Sequence, residues 1–154
     1  MRGPAGGGTV TLVACVSADA GPLSSEPIRV LVVDDHASFR EMLTDFLAAQ
    51  DGIDVVGECG DGSEVPSAVD RLRPDVVLMD LSMPVVDGEQ ATRVLRATRP
   101  DVVVVVLTAE GAAAVERART AGAHALVPKD ADPELLVRCV RSLAHAGADC
   151  PFAL

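Results

Sequence analysis

The sequence predicts an α/β fold in which a five-stranded parallel sheet is doubly wound, with helices on both of its faces. Two observations lead to this prediction. From residue 28 onward, five short apolar segments alternate with segments of helical periodicity, and such alternation favours a parallel sheet. In the segment 102–107, five consecutive valines show no polar alternation, which is typical of a strand buried on both faces at the sheet centre.

The first strand is predicted at residues 28–33, a β-branched apolar run that ends before two aspartates. Large apolar residues then recur at the spacing i, i+3, i+4, i+7 and i+8, which predicts a helix with one buried stripe. Gly52 is the expected stop signal after this helix. The stripe comprises Phe39, Met42, Leu43, Phe46 and Leu47.

The next two strands flank a helix with a proline near its start. We expect these strands at residues 53–56 and 75–79, the second of them ending at Asp80. Ser63 is the expected N-cap of the helix, in which Pro66 is tolerated because it lies in the first turn. The inner face of this helix is expected to be Val65, Ala68, Val69 and Leu72.

Beyond the valine run, the sequence predicts an alanine-rich helix, an edge strand and a final helix. The helix at 110–121 has few large side chains to anchor it. The strand at 125–128 ends in Pro128, which suits an edge because proline cannot donate to a sheet ladder. Asp132 is a strong helix start, since proline and glutamate follow it. The apolar faces are Ala91, Val94 and Leu95 in the third helix, and Leu135, Leu136, Cys139, Val140 and Leu143 in the last.

Composition argues against several functions. The chain has 154 residues, of which 13 are basic and 23 acidic, and its formal net charge of −10 repels nucleic-acid phosphates. It contains neither tryptophan nor tyrosine, the usual platforms for base stacking. No uninterrupted apolar stretch is long enough to cross a membrane. We therefore expect no direct nucleic-acid binding, no membrane association and a cytoplasmic location.

The cysteines Cys15, Cys59, Cys139 and Cys150 form no C-x-x-C pair and fit no zinc-binding spacing. We expect them to be reduced, partly buried thiols. The segment that ends at Cys15 resembles a lipoprotein cleavage box, but its apolar run is shorter than a signal peptide requires.

The chain is expected to contain one folded domain. Residues 1–27 are rich in glycine and proline, which predicts a flexible leader. The domain itself is expected at residues 28–147, and residues 148–154 are expected to form a short tail.

Chemically active side chains follow four of the predicted strands. Asp34 and Asp35 follow the first strand, and Asp80 follows the third. Thr108 follows the fourth, and Lys129, the only lysine in the chain, follows the fifth. Taken singly, each has a structural explanation as a cap, turn or surface residue. Because ligands of doubly wound folds bind beyond the carboxyl ends of the strands, the combination predicts a site at that edge.

Three carboxylates at one edge repel one another, by about 4 kcal/mol for each pair at 4 Å and an effective dielectric of 20. A divalent cation would offset this repulsion. Since we expect only oxygen ligands, with no histidine or cysteine nearby, Mg²⁺ is favoured and Mn²⁺ is acceptable. An aspartate carboxylate can act as a nucleophile and form an aspartyl phosphate. The cation and the compact ammonium of Lys129 would then stabilise an in-line transfer of the phosphoryl group.

Residues 28–147 resemble the response-regulator receiver domains of bacterial two-component signalling, in wording most of all the NarL/FixJ type. The resemblance rests on VVDDH at 32–36, RPDVVLMDLSMPVVDG at 73–88, VVLTAEG at 105–111 and LVPKDADPELL at 126–136. It implies a CheY-like, flavodoxin-like three-layer fold and a phosphorelay function, with a sensor histidine kinase as phosphodonor. The chain would accept the phosphoryl group on its own aspartate, lose it slowly, and otherwise not be an enzyme.

The resemblance also implies a role for each site residue. Asp80 would be the phospho-acceptor, and Thr108 and Lys129 would bind its phosphoryl group. Ser82 and Glu110 would tune dephosphorylation by steering the attacking water. Phosphorylation would change the surface formed by the fourth helix, fifth strand and fifth helix, where an unknown downstream protein would bind. The implied metal ligands are Asp34, Asp35, Asp80 and the backbone carbonyl of Ser82.

The sequence departs from the family pattern in three ways. Leu126 stands where the family usually has an aromatic residue that swings inward on phosphorylation. Pro128 directly precedes the lysine and restrains the local backbone. Such receivers normally continue into a helix-turn-helix domain, whereas this sequence stops at Leu154. We therefore expect nothing in this chain to read DNA.

Other functions stay open to different degrees. A receiver-like interaction module that works without phosphorylation is the main alternative. A Mg²⁺-dependent phosphatase of the haloacid-dehalogenase type is disfavoured, because such enzymes want an acid where Ser82 stands. A nucleotide-binding Rossmann domain is disfavoured because no G-x-G-x-x-G follows the first strand. A homodimer through the last helix also stays open.

Overall fold

The computed structural model describes residues 26–154 as five strands that alternate with five α-helices. The strands are β1 (Ile28–Val33), β2 (Ile53–Cys59), β3 (Val76–Asp80), β4 (Val103–Thr108) and β5 (Ala125–Pro128). The helices are α1 (Ala37–Ala48), α2 (Val65–Leu72), α3 (Gly88–Thr98), α4 (Ala113–Ala121) and α5 (Pro133–Ala144). All neighbouring strands run parallel in the order β2-β1-β3-β4-β5, which confirms the predicted doubly wound sheet.

Apolar layers on both faces of the sheet hold the helices in place. Because successive side chains of a strand point to opposite faces, Val30 and Val32 pack with α1 and α5, whereas Leu31 and Val33 pack with α2 and α3. The middle of β4 is fully buried, as its valine run predicts. None of the described helices is long and apolar enough to span a membrane.

The structure corrects the predicted boundaries around α2. β2 continues through Gly57 to Cys59, because its parallel pairing with β1 resumes after a shift in register. Ser63 is not the cap of α2. Instead, Asp61 caps a 3₁₀ turn at Gly62–Glu64 that leads into the helix, and its carboxylate accepts a hydrogen bond of 2.7 Å from the backbone N–H of Ser63.

Two residues expected in buried helical stripes are exposed. Met42 of α1 is 58% exposed and Val94 of α3 is 41% exposed. Both lie at the flank of their stripes, where the helix surface turns away from the sheet. Met42 lines a groove between the start of α1 and the loops that follow β4 and β5. The apolar periodicity therefore overestimates the width of both buried faces.

A disulfide bond contradicts the expectation that the cysteines are reduced. Cys139 of α5 is bonded to Cys150, with the two Cα atoms 4.3 Å apart, because the chain turns back over α5 after the helix ends. Cys59 is a free, buried thiol, and burial is the main cause that raises its pKa to about 11. Cys15 and the leader predicted at residues 1–27 lie outside the described residues, apart from the last two positions of that leader.

The segment at 148–154 packs onto the domain. The bidentate pair of Arg138 and Asp149 joins it to the exposed face of α5, with a shortest N–O distance of 2.7 Å. The backbone N–H of Leu126 donates to the Phe152 carbonyl at 3.1 Å. The backbone N–H of Leu154 donates at 3.0 Å to the carbonyl of His124, the residue before β5. The tail therefore lies antiparallel along the outer side of β5.

Candidate functional site

Three carboxylates meet where the carboxyl ends of β1 and β3 adjoin. Asp34 follows β1 and has no exposed surface, and Asp80 ends β3 and is 4% exposed. One side-chain atom each of Asp34, Asp35, His36 and Asp80 lies within 4.8 Å of the others. The chain leaves β1 toward one side of the sheet and β3 toward the other, which opens a crevice at this point. The structure therefore brings the predicted acids together.

Lys129 supplies the positive charge of this site. Its Nζ donates a hydrogen bond of 2.7 Å to Asp34 Oδ2 and lies 3.3 Å from Asp80 Oδ1. The backbone N–H of Lys129 donates to the carbonyl of Thr108 at 2.8 Å, which fixes the end of β5 beside the end of β4. The ring centroid of Phe39 lies 4.6 Å from Nζ, a cation–π distance.

Thr108 and Gly88 shape the surroundings of Asp80. Thr108 is buried, and its Oγ1 accepts a hydrogen bond of 2.9 Å from the backbone N–H of Glu110, so its O–H can still donate into the site. Gly88 opens α3 against the backbone of Asp80, where any Cβ would overlap the Asp80 carbonyl oxygen and lie 2.8 Å from the carbonyl carbon. A glycine is therefore required at this close approach.

Two carboxylate oxygens support a metal centre here. Asp35 Oδ1 and Asp80 Oδ2 are buried and have no hydrogen-bond partner among the described residues. Buried polar atoms are normally paired, and a divalent cation would satisfy both of these oxygens. The donor set therefore fits Mg²⁺ or Mn²⁺.

His36 corrects the expectation that no histidine stands near the acids. It is the N-cap residue of α1, and its extended backbone turns the imidazole back toward the two preceding carboxylates. Its Nδ1 lies 3.4 Å from Asp34 Oδ1 and 3.3 Å from Asp35 Oδ1, although the side chain is 69% exposed. The rim of the site therefore offers an imidazole nitrogen beside the carboxylate oxygens.

Electrostatics at Asp80 disfavour its charged form. Burial is the main cause that raises the pKa of Asp80 to about 6, and the neighbouring Asp34 carboxylate raises it further. Lys129 and the backbone N–H of Ser82 act in the opposite direction. A bound cation would therefore favour the ionised carboxylate, the form that can act as a nucleophile.

A chain of polar contacts that the motifs did not indicate lies beside the acids. Ser82 Oγ donates a hydrogen bond to Glu110 Oε1. Arg117 of α4 donates to Glu110 Oε2 and to Glu89 Oε2 of α3, both at 2.9 Å. Glu89 also pairs with Arg93. Sequence reasoning identified Ser82 and Glu110 but missed the arginine that joins them to α3.

Leu126 is 8% exposed and packs in an apolar cluster with α4. The position expected to hold a mobile aromatic residue is therefore filled by an aliphatic side chain that already lies inside. The other members of this cluster are Leu81, Val106, Ala114, Ala118 and Ala123.

Curated proteins similar to this chain are known. The response regulator receiver domain family matches residues 30–141. The chain is 47% identical over 109 residues to protein-glutamate methylesterase/protein-glutamine glutaminase 4 of Geobacter metallireducens, which covers 69% of this chain and 31% of that protein. It is 43% identical over 121 residues to response regulator GacA of Pseudomonas viridiflava, which covers 78% and 56% respectively. The chain thus spans about a third to just over half of these relatives.

Solved structures agree with the fold. A two-component response regulator of the LuxR family from Aurantimonas sp. SI85-9A1 matches with a TM-score of 0.75 and 31% identity, over 82% of this chain and 91% of that chain. The response regulator domain of Thermotoga maritima CheB matches with a TM-score of 0.72 and 31% identity, over 78% and 98%. Fold and site together define a doubly wound protein with a buried aspartate in an acidic crevice. The chain belongs to the response regulator receiver family of two-component phosphorelay signalling.

Proposed function

We propose that this chain accepts a phosphoryl group from a sensor histidine kinase on Asp80, in a reaction that requires Mg²⁺. The observation that carries this proposal is the state of the Asp80 carboxylate. Its Oδ2 is buried and unpartnered among the described residues, while the ammonium of Lys129 lies 3.3 Å from its other oxygen. A nucleophilic oxygen beside a fixed positive charge is the arrangement that phosphoryl transfer needs.

The residues divide the work of this transfer. Asp34, Asp35, Asp80 and the backbone carbonyl of Ser82 would hold the cation, which neutralises phosphoryl charge when bound. An Asp80 oxygen forms a bond to phosphorus as the bond between phosphorus and the kinase histidine nitrogen breaks, and that nitrogen keeps the electron pair. Thr108 and Lys129 would bind the equatorial phosphoryl oxygens.

The output of the reaction is proposed to be a changed surface on α4, β5 and α5 that binds a downstream protein. The buried side chains that anchor α4 are all small: Ala114, Ala118 and Ala121. Few large anchors mean low local stability, which suits an element that moves. Glu110 accepts from Arg117 of α4, and its backbone N–H donates to Thr108 Oγ1, so a phosphoryl group that draws in the Thr108 hydroxyl would act on α4 through these contacts.

The test uses the purified chain with Mg²⁺ and acetyl phosphate, and intact mass as the readout. We expect a single phosphoryl adduct on the wild type. It should be absent in Asp80→Asn, absent when Mg²⁺ is chelated, and retained in Asp101→Asn, which changes an exposed aspartate paired with Arg99. Folded protein that binds Mg²⁺ but gives no adduct would contradict the proposal.

A receiver-like interaction module that works without phosphorylation is the second candidate, and Leu126 favours it. The side chain of Leu126 is already buried, and the backbone N–H of this residue is bonded to the tail. Leu126 therefore cannot move from an exposed to a buried position as the family's aromatic residue does. Amide hydrogen exchange separates the two functions. Slower or faster exchange in α4 after phosphorylation supports the switch, whereas unchanged exchange in a fully phosphorylated sample supports the module.

We further propose that the chain itself turns over no external substrate, and that it works in the cytoplasm, where kinase phosphodonors are found. The methylesterase activity named for the Geobacter metallireducens relative belongs to a protein of which this chain spans 31%. Disulfides are rare in the cytoplasm. The Cys139–Cys150 bond would therefore be exposed to cellular reductants there.

A further inference from the structure

We infer that Arg117 is a positioning residue that holds Glu110 against Ser82 and thereby slows the hydrolysis of phosphorylated Asp80. The inference rests on the proposed function, since hydrolysis needs a phosphoryl group on Asp80. Arg117 itself lies on α4 and touches Glu110 and Glu89, not the reacting carboxylate.

The carboxylate of Glu110 is held from both sides. Its Oε1 accepts a hydrogen bond from Ser82 Oγ, and its Oε2 accepts one of 2.9 Å from Arg117 Nη1. The backbone of Glu110 is fixed as well, because its N–H donates to Thr108 Oγ1 at 2.9 Å. The side chain thus has one well-defined place, two residues beyond Thr108, the last residue of β4.

Arg117 can impose this position because it is anchored in turn. Its Nε donates to Glu89 Oε2 at 2.9 Å, and Glu89 lies in the first turn of α3, a different helix. The side chain of Glu89 is 19% exposed. The neighbouring Arg119 provides a contrast, because its side chain is 56% exposed and pairs only with Glu116 of its own helix among the described residues. Arg117 therefore connects two helices to the site, and Arg119 does not.

The chemistry explains why this position slows hydrolysis. Water oxygen attacks phosphorus, the bond between phosphorus and the Asp80 oxygen breaks, and the aspartate carboxylate leaves with the electron pair. The attacking water gives up a proton in this step, and a nearby free carboxylate accelerates it by general-base catalysis. Each Glu110 oxygen accepts a hydrogen bond, one from Ser82 and the other from Arg117, so the carboxylate is held at these donors and not at the attacking water until Arg117 releases it.

The test follows the decay of the phosphorylated chain. After phosphorylation by acetyl phosphate and removal of the donor, intact mass gives the decay rate with Mg²⁺ present. We expect Arg117→Met to decay about threefold faster or more, a fraction of the ~10²–10⁴ that a fully aligned base supplies. Arg119→Met should decay at the wild-type rate, and Arg117→Lys should lie between wild type and Arg117→Met.

A second pair of variants asks whether the effect passes through Glu110. If Arg117 acts by holding this carboxylate, the double variant Arg117→Met with Glu110→Gln should decay no faster than Glu110→Gln alone. A merely structural role of Arg117 would speed both backgrounds equally, and that result would overturn the inference. So would a wild-type decay rate in Arg117→Met.

Hydrogen exchange separates this inference from the proposed function. If the wild type forms no adduct, the proposed function fails, but the contact can still be tested in the unphosphorylated chain. We expect the Glu110 amide, which donates to Thr108, to exchange faster in Arg117→Met and not in Arg119→Met. Unchanged exchange in Arg117→Met would overturn the positioning role.

Discussion

Lys129 donates a hydrogen bond of 2.7 Å to Asp34, a fully buried carboxylate 95 residues earlier in the chain. The pair joins the end of β5 to the end of β1, although β3 and β4 lie between these strands. The same ammonium lies 3.3 Å from Asp80, so one cation offsets the charge of two acids. In the metal-free protein, Lys129 therefore offsets the repulsion between these two acids.

Replacing Lys129 should therefore destabilise the metal-free fold. Lys129→Met leaves the Asp34 carboxylate buried without its cation, and breaking such a pair costs about 3–5 kcal/mol of unfolding free energy. Mg²⁺ should restore part of this loss because it supplies positive charge at the same place. Urea unfolding with and without Mg²⁺ measures both effects, with Arg119→Met as an exposed control. Equal stability of Lys129→Met and wild type in chelator would refute the expectation.

The raised pKa of Asp80 predicts how stability depends on pH. Its folded value of about 6 lies above the ordinary 3.8, so between these values the folded state binds more protons than the unfolded state. As pH rises through this window, the contribution of Asp80 protonation to the unfolding free energy of the metal-free wild type should fall. Asp80→Asn lacks it and should be more stable than wild type by roughly 2–3 kcal/mol above the window.

Urea unfolding of wild type and Asp80→Asn in chelator, measured from acidic to neutral pH, checks this sign. The advantage of Asp80→Asn should shrink as pH falls toward the ordinary pKa of an aspartate. An advantage that grows on acidification would show that the pKa of Asp80 is lowered instead.

Gly88 should tolerate no side chain. In Gly88→Ala, the new Cβ overlaps the backbone of Asp80, so the start of α3 must move away from the end of β3. We expect a loss of about 3 kcal/mol or more and weaker Mg²⁺ binding. Gly111→Ala is the matched control, since nothing lies within 4 Å of its Cβ, and it should be neutral or slightly stabilising. Similar unfolding midpoints for the two variants would contradict the close approach.

The Cys139–Cys150 bond should stabilise the domain and hold its tail. It closes a loop across a sequence separation of 11, for which about 2–3 kcal/mol is expected. Reductant should lower the unfolding free energy by this amount and speed the exchange of the Leu126 amide, which donates to Phe152. The variant Cys139→Ala with Cys150→Ala should show no further change with reductant. Alkylation of both cysteines in unreduced, denatured protein would show that the bond does not form.

Much of the fold could be predicted because its elements are encoded locally. Helix starts such as Asp132, which accepts from the backbone N–H of Glu134, depend on neighbouring residues alone. The strand ends likewise place Asp80, Thr108 and Lys129 at one edge, since parallel strands share a direction. Exposure of Met42 was not predictable in this way, because it depends on what the neighbouring loops cover.

The remaining features depend on contacts between distant residues. Arg117 and Glu89 are 28 positions apart, and nothing in a chain with many acids selects this partner. The nearness of His36 to the acids follows from the backbone angles of a helix cap. The disulfide requires the chain to reverse after α5. Ala146 adopts a positive φ of 56° at this turn, a conformation that an alanine does not predict.

The tail that lies along β5 also has a consequence for self-association. An outer strand presents unpaired N–H and C=O groups that can recruit a strand from another molecule and seed aggregation. Here the Phe152 carbonyl accepts from the N–H of Leu126, and the N–H of Leu154 donates to the His124 carbonyl. The chain's own backbone therefore pairs these groups on the outer side of β5. Loss of the Cys139–Cys150 bond would free these groups together with the apolar ring of Phe152. While the bond is intact, we therefore expect it to limit aggregation through this strand as well as to stabilise the fold.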